Sequence, residues 1–444
     1  MAATEPRAPH APLDEAHGYR LAGDADAALR WGLALLESAD HPLGAAALLA
    51  SVLIGEGRTI VAGEVAHRLV DGWVRRGDLP QATAAAHLLD RAGEDGPAAR
   101  RRIAEAFAGG SARLDDVSPT PPPLPPVREV PARLARLRGA PLRDGAEDAL
   151  QGFLAQEDPV DAAAAVPRLP LFSALPADAL ARLLDAMEVR DVPAGDEVIV
   201  QGEEGREAFV VVRGLLEVRR RADPGAEAAI LATLGPGAIF GEMALVSAAP
   251  RAATVAAVQP AQVLCIARAT LEALAREQAA IGRELGHFCR GRMVRNLVSH
   301  SPVLRRVAPA QRAELIGRFE AVTFESGEKL VVLGDEPSGL YLIASGGVEV
   351  VGRDADGDAV RLAEVGPGDV VGEISLVLRR PANADVVARH PTVALRLSRD
   401  RFQQAIADHP GLLNELYELA TKREEETSSV VAQRALEVDD AVLV

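Results

Sequence analysis

Cysteine is nearly absent from this 444-residue chain, which has only Cys265 and Cys289. Neither sits in a CxxC pair, and two thiols cannot make a secreted disulfide scaffold, so a reducing compartment is expected. Basic charge is also short: 48 Lys and Arg against 64 Asp and Glu leave a formal net charge of −16. Such a balance gives no broad cationic surface for nucleic acid or an anionic membrane, and neither is expected as a partner. Long apolar runs are missing as well. The longest, 43–55, is shorter than the ~20 residues of a spanning helix and reads as a buried one. The first residues lack the basic start and apolar stretch of a secretory signal, so a cytoplasmic location is expected. The nine histidines are scattered, and no HExxH, GxSxG or Walker loop occurs; with no metal or catalytic constellation, the chain reads as non-enzymatic.

What is present is 48% apolar sequence, enough for several folded domains. Apolar residues at helical spacing (Ala28, Leu29, Leu33 and Leu36, then Val65, Leu69, Val70 and Trp73) make 1–115 an all-α domain. The openings Gly23-Asp24 and Gly77-Asp78 look like tetratricopeptide-type turns, but they are 54 residues apart where that repeat has ~34. The domain is therefore read as repeat-like, with a surface for a protein partner. Residues 116–165 form a linker and a helical segment. Prolines 119, 121, 122, 123, 125, 126 and 131 fix an extended, semi-rigid spacer, which could alternatively be an SH3-type ligand. The arginine runs 100–102 and 219–221 read as solvated faces.

Beyond residue 166 short Val- and Ile-rich runs alternate with glycines, and the block occurs twice. Gly195, Gly202 and Gly214 recur 132 residues later as Gly327, Gly334 and Gly346. Gly241-Glu242 and Pro250 recur 131 residues later as Gly372-Glu373 and Pro381, placing a one-residue deletion in the 219–229 turn. Two tandem domains, 166–299 and 300–434, and a tail, 435–444, are expected. Many short strands with glycine turns argue for jelly-roll barrels, flanked by exit helices at 270–299 and 400–433. The fold class is α+β multidomain: a helical repeat-like domain, then two β jelly-roll barrels with flanking helices. Only about 20 residues follow the last helix core, too few for a helix-turn-helix output.

In the first copy, 240–255 places one acid and one base among small apolar residues. Gly241 permits close backbone approach, and a short helix from Glu242 to Val246 presents unpaired amides suited to an anion. Arg251 offers a planar fork for a phosphate, and Glu242 an acceptor for sugar hydroxyls. An internal Glu242–Arg251 ion pair is the plainer alternative.

The segment resembles the phosphate-binding cassette of the cyclic-nucleotide-binding domain family, as in protein kinase A regulatory subunits and catabolite-activator-type regulators. The resemblance extends to Leu171-Phe172-Ser173-Ala174-Leu175 and to the turn glycines, over about 167–433. It implies a ligand site of Gly241, Glu242, Met243, Ala244, Arg251, Ala252 and Ala253. Glu242 would take the ribose 2′-hydroxyl, Arg251 the cyclic phosphate, and amides near Ala244 and Ala252 would complete the cradle. Alanine at 252, where cGMP-selective members often carry threonine, favours cAMP over cGMP. In the second copy Ala382 replaces the arginine, a loss of roughly 3–5 kcal/mol or about two to four decades of affinity, and Asp385 adds a negative charge. That copy is read as silent or altered, with Arg379 and Arg380 facing elsewhere. The function implied is a cyclic-nucleotide sensor without a cofactor, relaying binding through its exit helix. The alternative is a non-binding scaffold.

Overall fold

The computed structural model describes residues 12–38, 42–117, 129–158, 160–161, 164–221, 227–245, 250–301, 303–336, 338–354 and 357–442. Two compact units emerge: Met1–Val200 with Arg206–Glu242 and Ala253–Leu285, and Gln201–Gly205 with Met243–Ala252 and Gly286–Val444. Among the described residues no helix is long and apolar enough to cross a membrane.

The first unit opens with helices α1 Pro12–Leu21, α2 Ala25–Ser38, α3 Leu43–Gly55, α4 Ile60–Arg75, α5 Leu79–Ala92 and α6 Gly96–Phe107, each packed on the next. Their inward stripes are fully buried, with Leu29, Leu49, Leu69 and Leu89 all at 0% exposure. The turns follow a simple chemistry. Gly23 ends α1 in the left-handed region at φ 79°, and Asp24 Oδ1 then accepts the Ala27 N–H at 2.9 Å to cap α2. Pairing Gly23 with Gly77 in the sequence matched unlike turns, because Gly77 joins α4 to α5 whereas Gly23 lies inside a hairpin. The glycines inside hairpins are Gly23, Gly57 and Gly93, all at positive φ. Their spacings of 34 and 36 residues fit the tetratricopeptide period.

Asp78 caps α5 by accepting the Gln81 N–H at 3.0 Å. Burial pushes its carboxyl up to about 6, against the pull of that amide. The folded state therefore holds a proton that the unfolded state loses near pH 4, so this group's stability term declines as pH rises from about 4 to 6. Asp78→Asn retains an acceptor for the cap and removes the buried charge. It should stabilise the first unit by about 2 kcal/mol at pH 7.5 and by nothing at pH 3.5. Thermal melts of variant and wild type at each pH check this. The comparison must be pairwise, because His17 titrates with the opposite sign: burial, then Arg213 and Arg20, hold it well below the usual imidazole range.

After α6 the chain forms a two-residue strand, β1 Leu114–Asp115, parallel to β2 Val166–Pro167. Between them lie α7 Ala132–Ala135 and α8 Gly139–Ala155. Most of the proline spacer, 118–128, lies outside the described residues.

The helical region and the first β domain form one packed unit. Arg20 of α1 meets Asp191 at 2.6 Å, Gln81 donates to the Val212 carbonyl at 3.2 Å, and Gly109 N–H donates to Leu175 O at 2.8 Å. Arg100 corrects one expectation: it is 4% exposed and bridges Asp90 to Asp185 of α9 Ala177–Asp185, so only Arg101 and Arg102 are solvated.

The first copy has eight strands: β3 Glu188–Val192, β4 Glu197–Ile199, β5 Glu207–Arg213, β6 Leu216–Arg220, β7 Ala229–Leu234, β8 Ile239–Phe240, β9 Thr254–Ala257 and β10 Ala261–Ala267. They form two four-stranded antiparallel sheets, ordered β3-β10-β5-β8 and β4-β9-β6-β7, the alternation of a jelly roll. The second copy, β11 Glu320–Phe324, β12 Lys329–Val331, β13 Gly339–Ser345, β14 Val348–Arg353, β15 Ala359–Val365, β16 Val370–Val371, β17 Asp385–Ala388 and β18 Thr392–Ser398, repeats that order. Leu216 pairs with Leu234 where Val348 pairs with Val365, which places the deleted residue in the β6–β7 connection. The recurring glycines are structural. At Gly214 (φ 84°) a Cβ would lie 2.6 Å from the Ala261 Cα, and at Gly346 (φ 85°) 2.8 Å from the Thr392 Cα.

Each exit helix expected as continuous is broken. The first divides into α10 Arg268–Glu277 and α11 Ala279–His300 at Gln278 (φ −126°, ψ 89°). α12 Pro309–Gly317 leads into the second copy, which contains α13 Glu373–Leu378 and exits through α14 Arg399–Asp408 and α15 Pro410–Val442, broken at His409 (φ −131°, ψ 74°). Pro410 cannot continue the hydrogen bonding of a preceding helix but suits the start of the next. α15 runs past 434, where the sequence suggested a tail.

Candidate functional site

In the first copy β8 lies beside β5 through Phe209↔Phe240, whose rings stack at 5.0 Å, and this fixes the entry to the cassette. Gly241 then turns at φ 74°, and Glu242 is buried, 4% exposed, at the head of a 3-10 turn, Glu242–Leu245. The sequence suggested a helix from Glu242 to Val246; the described residues form a 3-10 turn through Leu245, and 246–249 lie outside the described residues. Gly241, Glu242, Met243 and Ala244 thus share one turn. Arg251, Ala252 and Ala253 share the approach to β9. There the Arg251 N–H donates to Glu203 O at 2.8 Å, and its carbonyl accepts the Gly202 N–H at 2.9 Å. Arg251 and Ala253 are half-buried and Ala252 exposed. Met243 packs against an apolar cluster that includes Met293 and Leu297 of α11.

The second copy repeats the frame and changes the chemistry. Ala382 N–H donates to Asp335 O at 2.9 Å and its carbonyl accepts the Gly334 N–H at 2.8 Å, so Ala382 occupies the place of Arg251 in an identical backbone clamp. Gly372 (φ 84°) precedes Glu373, which is 2% exposed at the start of α13. The Glu373 carboxylate accepts from Arg423 Nη1 of α15 at 2.7 Å, and the same nitrogen donates to Val370 O at 2.6 Å. Arg380 turns to Glu424 of α15, and both Arg379 and Arg380 are exposed. Asp385 is structural, accepting from Lys329 Nζ and from the Leu333 N–H, each at 2.9 Å. Burial alone would raise its carboxyl, but that amide and ammonium outweigh it and hold it below the usual range.

Arg423 is the residue that sequence reasoning missed. It lies in Thr421-Lys422-Arg423-Glu424-Glu425-Glu426, which reads as a solvated helix face. The usable signal was the repeat itself, since an arginine also stands 131 residues earlier, at 292.

In chemical terms a buried carboxylate accepts hydrogen bonds from hydroxyls, and an arginine fork takes a phosphate. The first cassette carries both residue types. The second carries the carboxylate and has alanine in place of the arginine.

A family model described as cyclic nucleotide-binding domain matches residues 189–278 and 321–409. The chain is 31% identical over 244 residues to a cAMP-dependent protein kinase regulatory subunit of Aspergillus fumigatus, and 30% identical to that of Emericella nidulans. The matched region is 53% of this chain and 56% and 57% of those proteins, so the chain spans about half the length of the curated relatives it matches. It is also similar to the regulatory domain of Toxoplasma gondii PKA crystallised with cAMP, at 24% identity over 58% of this chain and 92% of that one, with a TM-score of 0.27. The cyclic nucleotide-binding domain model thus matches the chain twice in tandem, once over each β domain.

Proposed function

We propose that this chain is a non-enzymatic regulatory protein whose first β domain binds a cyclic nucleotide, cAMP in preference to cGMP, through Glu242 and Arg251. The supporting observation is the difference between two copies with one backbone frame. One keeps an arginine at the clamp, whereas the other has alanine there. The relatives named as cAMP-dependent kinase regulatory subunits make cAMP the first ligand to test. The second copy acts as a packing module that binds no nucleotide, held shut by α15.

A route from ligand to output runs through Met243. This cassette residue packs against the apolar cluster to which Met293 and Leu297 of α11 belong, so a ligand that repositions the turn biases the exit helix. Its leverage equals its difference in affinity for the two arrangements. Calorimetric titration of the full chain with cAMP and with cGMP tests the reading. Micromolar or tighter cAMP binding near one site per chain is expected. Absence of heat and of thermal shift with both nucleotides would leave a scaffold built from nucleotide-binding-type domains.

A further inference from the structure

Helix α8 is docked on the helical array as a ligand would be. Its buried side chains are Leu142, Ala146, Leu150 and Phe153, a stripe at i, i+4, i+8 and i+11, all between 0 and 3% exposed. It packs on α2, α3 and α4, whereas α1 and α5 engage the first β domain. Charge is matched along its edges. Arg143 pairs with Glu56 and Asp26, Arg58 meets Asp144 and Glu147 at 2.8 Å each, and Arg68 lies 4.9 Å over the Phe153 ring.

The docking is nevertheless built weak. α8 buries four of its 17 residues, against nine of 16 for α4, and its Arg58–Asp144 pair is solvent-exposed, the kind that adds little stability. Gly145 and Gly152 lie inside the helix, where glycine disfavours helix formation. Packing does not require them, since a Cβ at either position would meet nothing within 4 Å. An open cleft of about 660 Å³, lined in part by Asp24, Arg30, Glu56 and Arg143, flanks its N-terminal end. In sequence α8 follows the proline-rich 118–131 segment, a tether rather than a continuation of the array.

We propose that α8 is an intramolecular stand-in for a partner helix. The groove between α2 and α4 accepts in trans an amphipathic helix with apolar residues at i, i+4, i+8 and i+11, a base at i+1 and carboxylates at i+2 and i+5, and α8 competes with it. Matched charge and shape are what groove recognition of a helix uses, and a tethered competitor sets its effective affinity. The proposal does not depend on what the first β domain binds.

The test uses a fluorescein-labelled peptide of residues 139–158 carrying alanine at 145 and 152, titrated by anisotropy into three forms of the full chain. Wild type should bind it. Gly145→Ala/Gly152→Ala, which strengthens the resident helix, should bind about tenfold or more weakly, each glycine replacement being worth roughly a factor of five in helix propensity. Phe153→Ala, which loosens it, should bind more tightly. Hydrogen exchange on the same proteins reports whether α2–α4 stay folded and should show α8 opening ahead of them. Equal binding to all three forms, or none to any while α2–α4 remain protected, overturns the proposal. So does α8 exchange that occurs only together with α2–α4.

Discussion

Arg251→Ala should abolish nucleotide binding at micromolar concentration while leaving the fold intact. The loss expected is roughly 3–5 kcal/mol, since a phosphate seated without its cation is an uncompensated charge in a partly desolvated site. That is about two to four decades in Kd. Intact folding is expected from the second copy, where alanine at the matching position makes the same two backbone hydrogen bonds, at 2.8 and 2.9 Å, that Arg251 makes. Arg251→Lys is the sharper comparison, because an ammonium keeps the charge and loses the planar fork. It should fall between wild type and alanine. Calorimetry on the full chain reads all three. A variant Kd within threefold of wild type would move the phosphate contact elsewhere.

How much of this was legible beforehand depends on what kind of signal each feature leaves. Turn glycines left a strong one: a left-handed backbone position excludes most side chains, so Gly214 and Gly346 had to be glycine and their spacing exposed the tandem copies. Glu242 and Arg251 stood out because charge among small apolar residues is costly without a partner. The hairpin period was legible but misread, because Gly77 has the same Gly-Asp opening as Gly23 and does a different job. The breaks at Gln278 and His409 repeat at the 131-residue spacing, and Pro410 marks one of them, so the arithmetic that found the cassette could have found these too. Burial of Arg100 was not legible: it lies in a charged run on a helix, and only its tertiary partner, Asp185, distinguishes it from its solvated neighbours. Arg423 lies in such a run too, and there only the repeat, through Arg292, carried a signal. The docking of α8 was obscured for a related reason: the prolines before it describe a spacer and say nothing of where the next helix returns.

The second large effect is expected at the Arg423–Glu373 pair. Arg423→Ala leaves the Glu373 carboxylate, 2% exposed and with no other hydrogen-bonded partner among the described residues, as an uncompensated buried charge beside Val370 O. Breaking such a pair from one side costs about 3–5 kcal/mol, whereas removing both charges can be nearly neutral. Arg423→Ala should therefore destabilise the second unit by about 3 kcal/mol, and Arg423→Leu/Glu373→Leu should recover most of that. The readout has to be local. Both tryptophans, Trp31 and Trp73, lie in the helical region of the first unit, so indole fluorescence is blind to the change. Hydrogen exchange along α13 and the start of α15 is suited to it, since Leu412, Leu416 and Ala420 are buried and their protection depends on the helix staying docked. Exchange in Arg423→Ala should rise about a hundredfold there and return in the double variant. If the double variant loses as much as the sum of the single ones, the two charges are independent, and the second copy is kept shut by the apolar face of α15 instead.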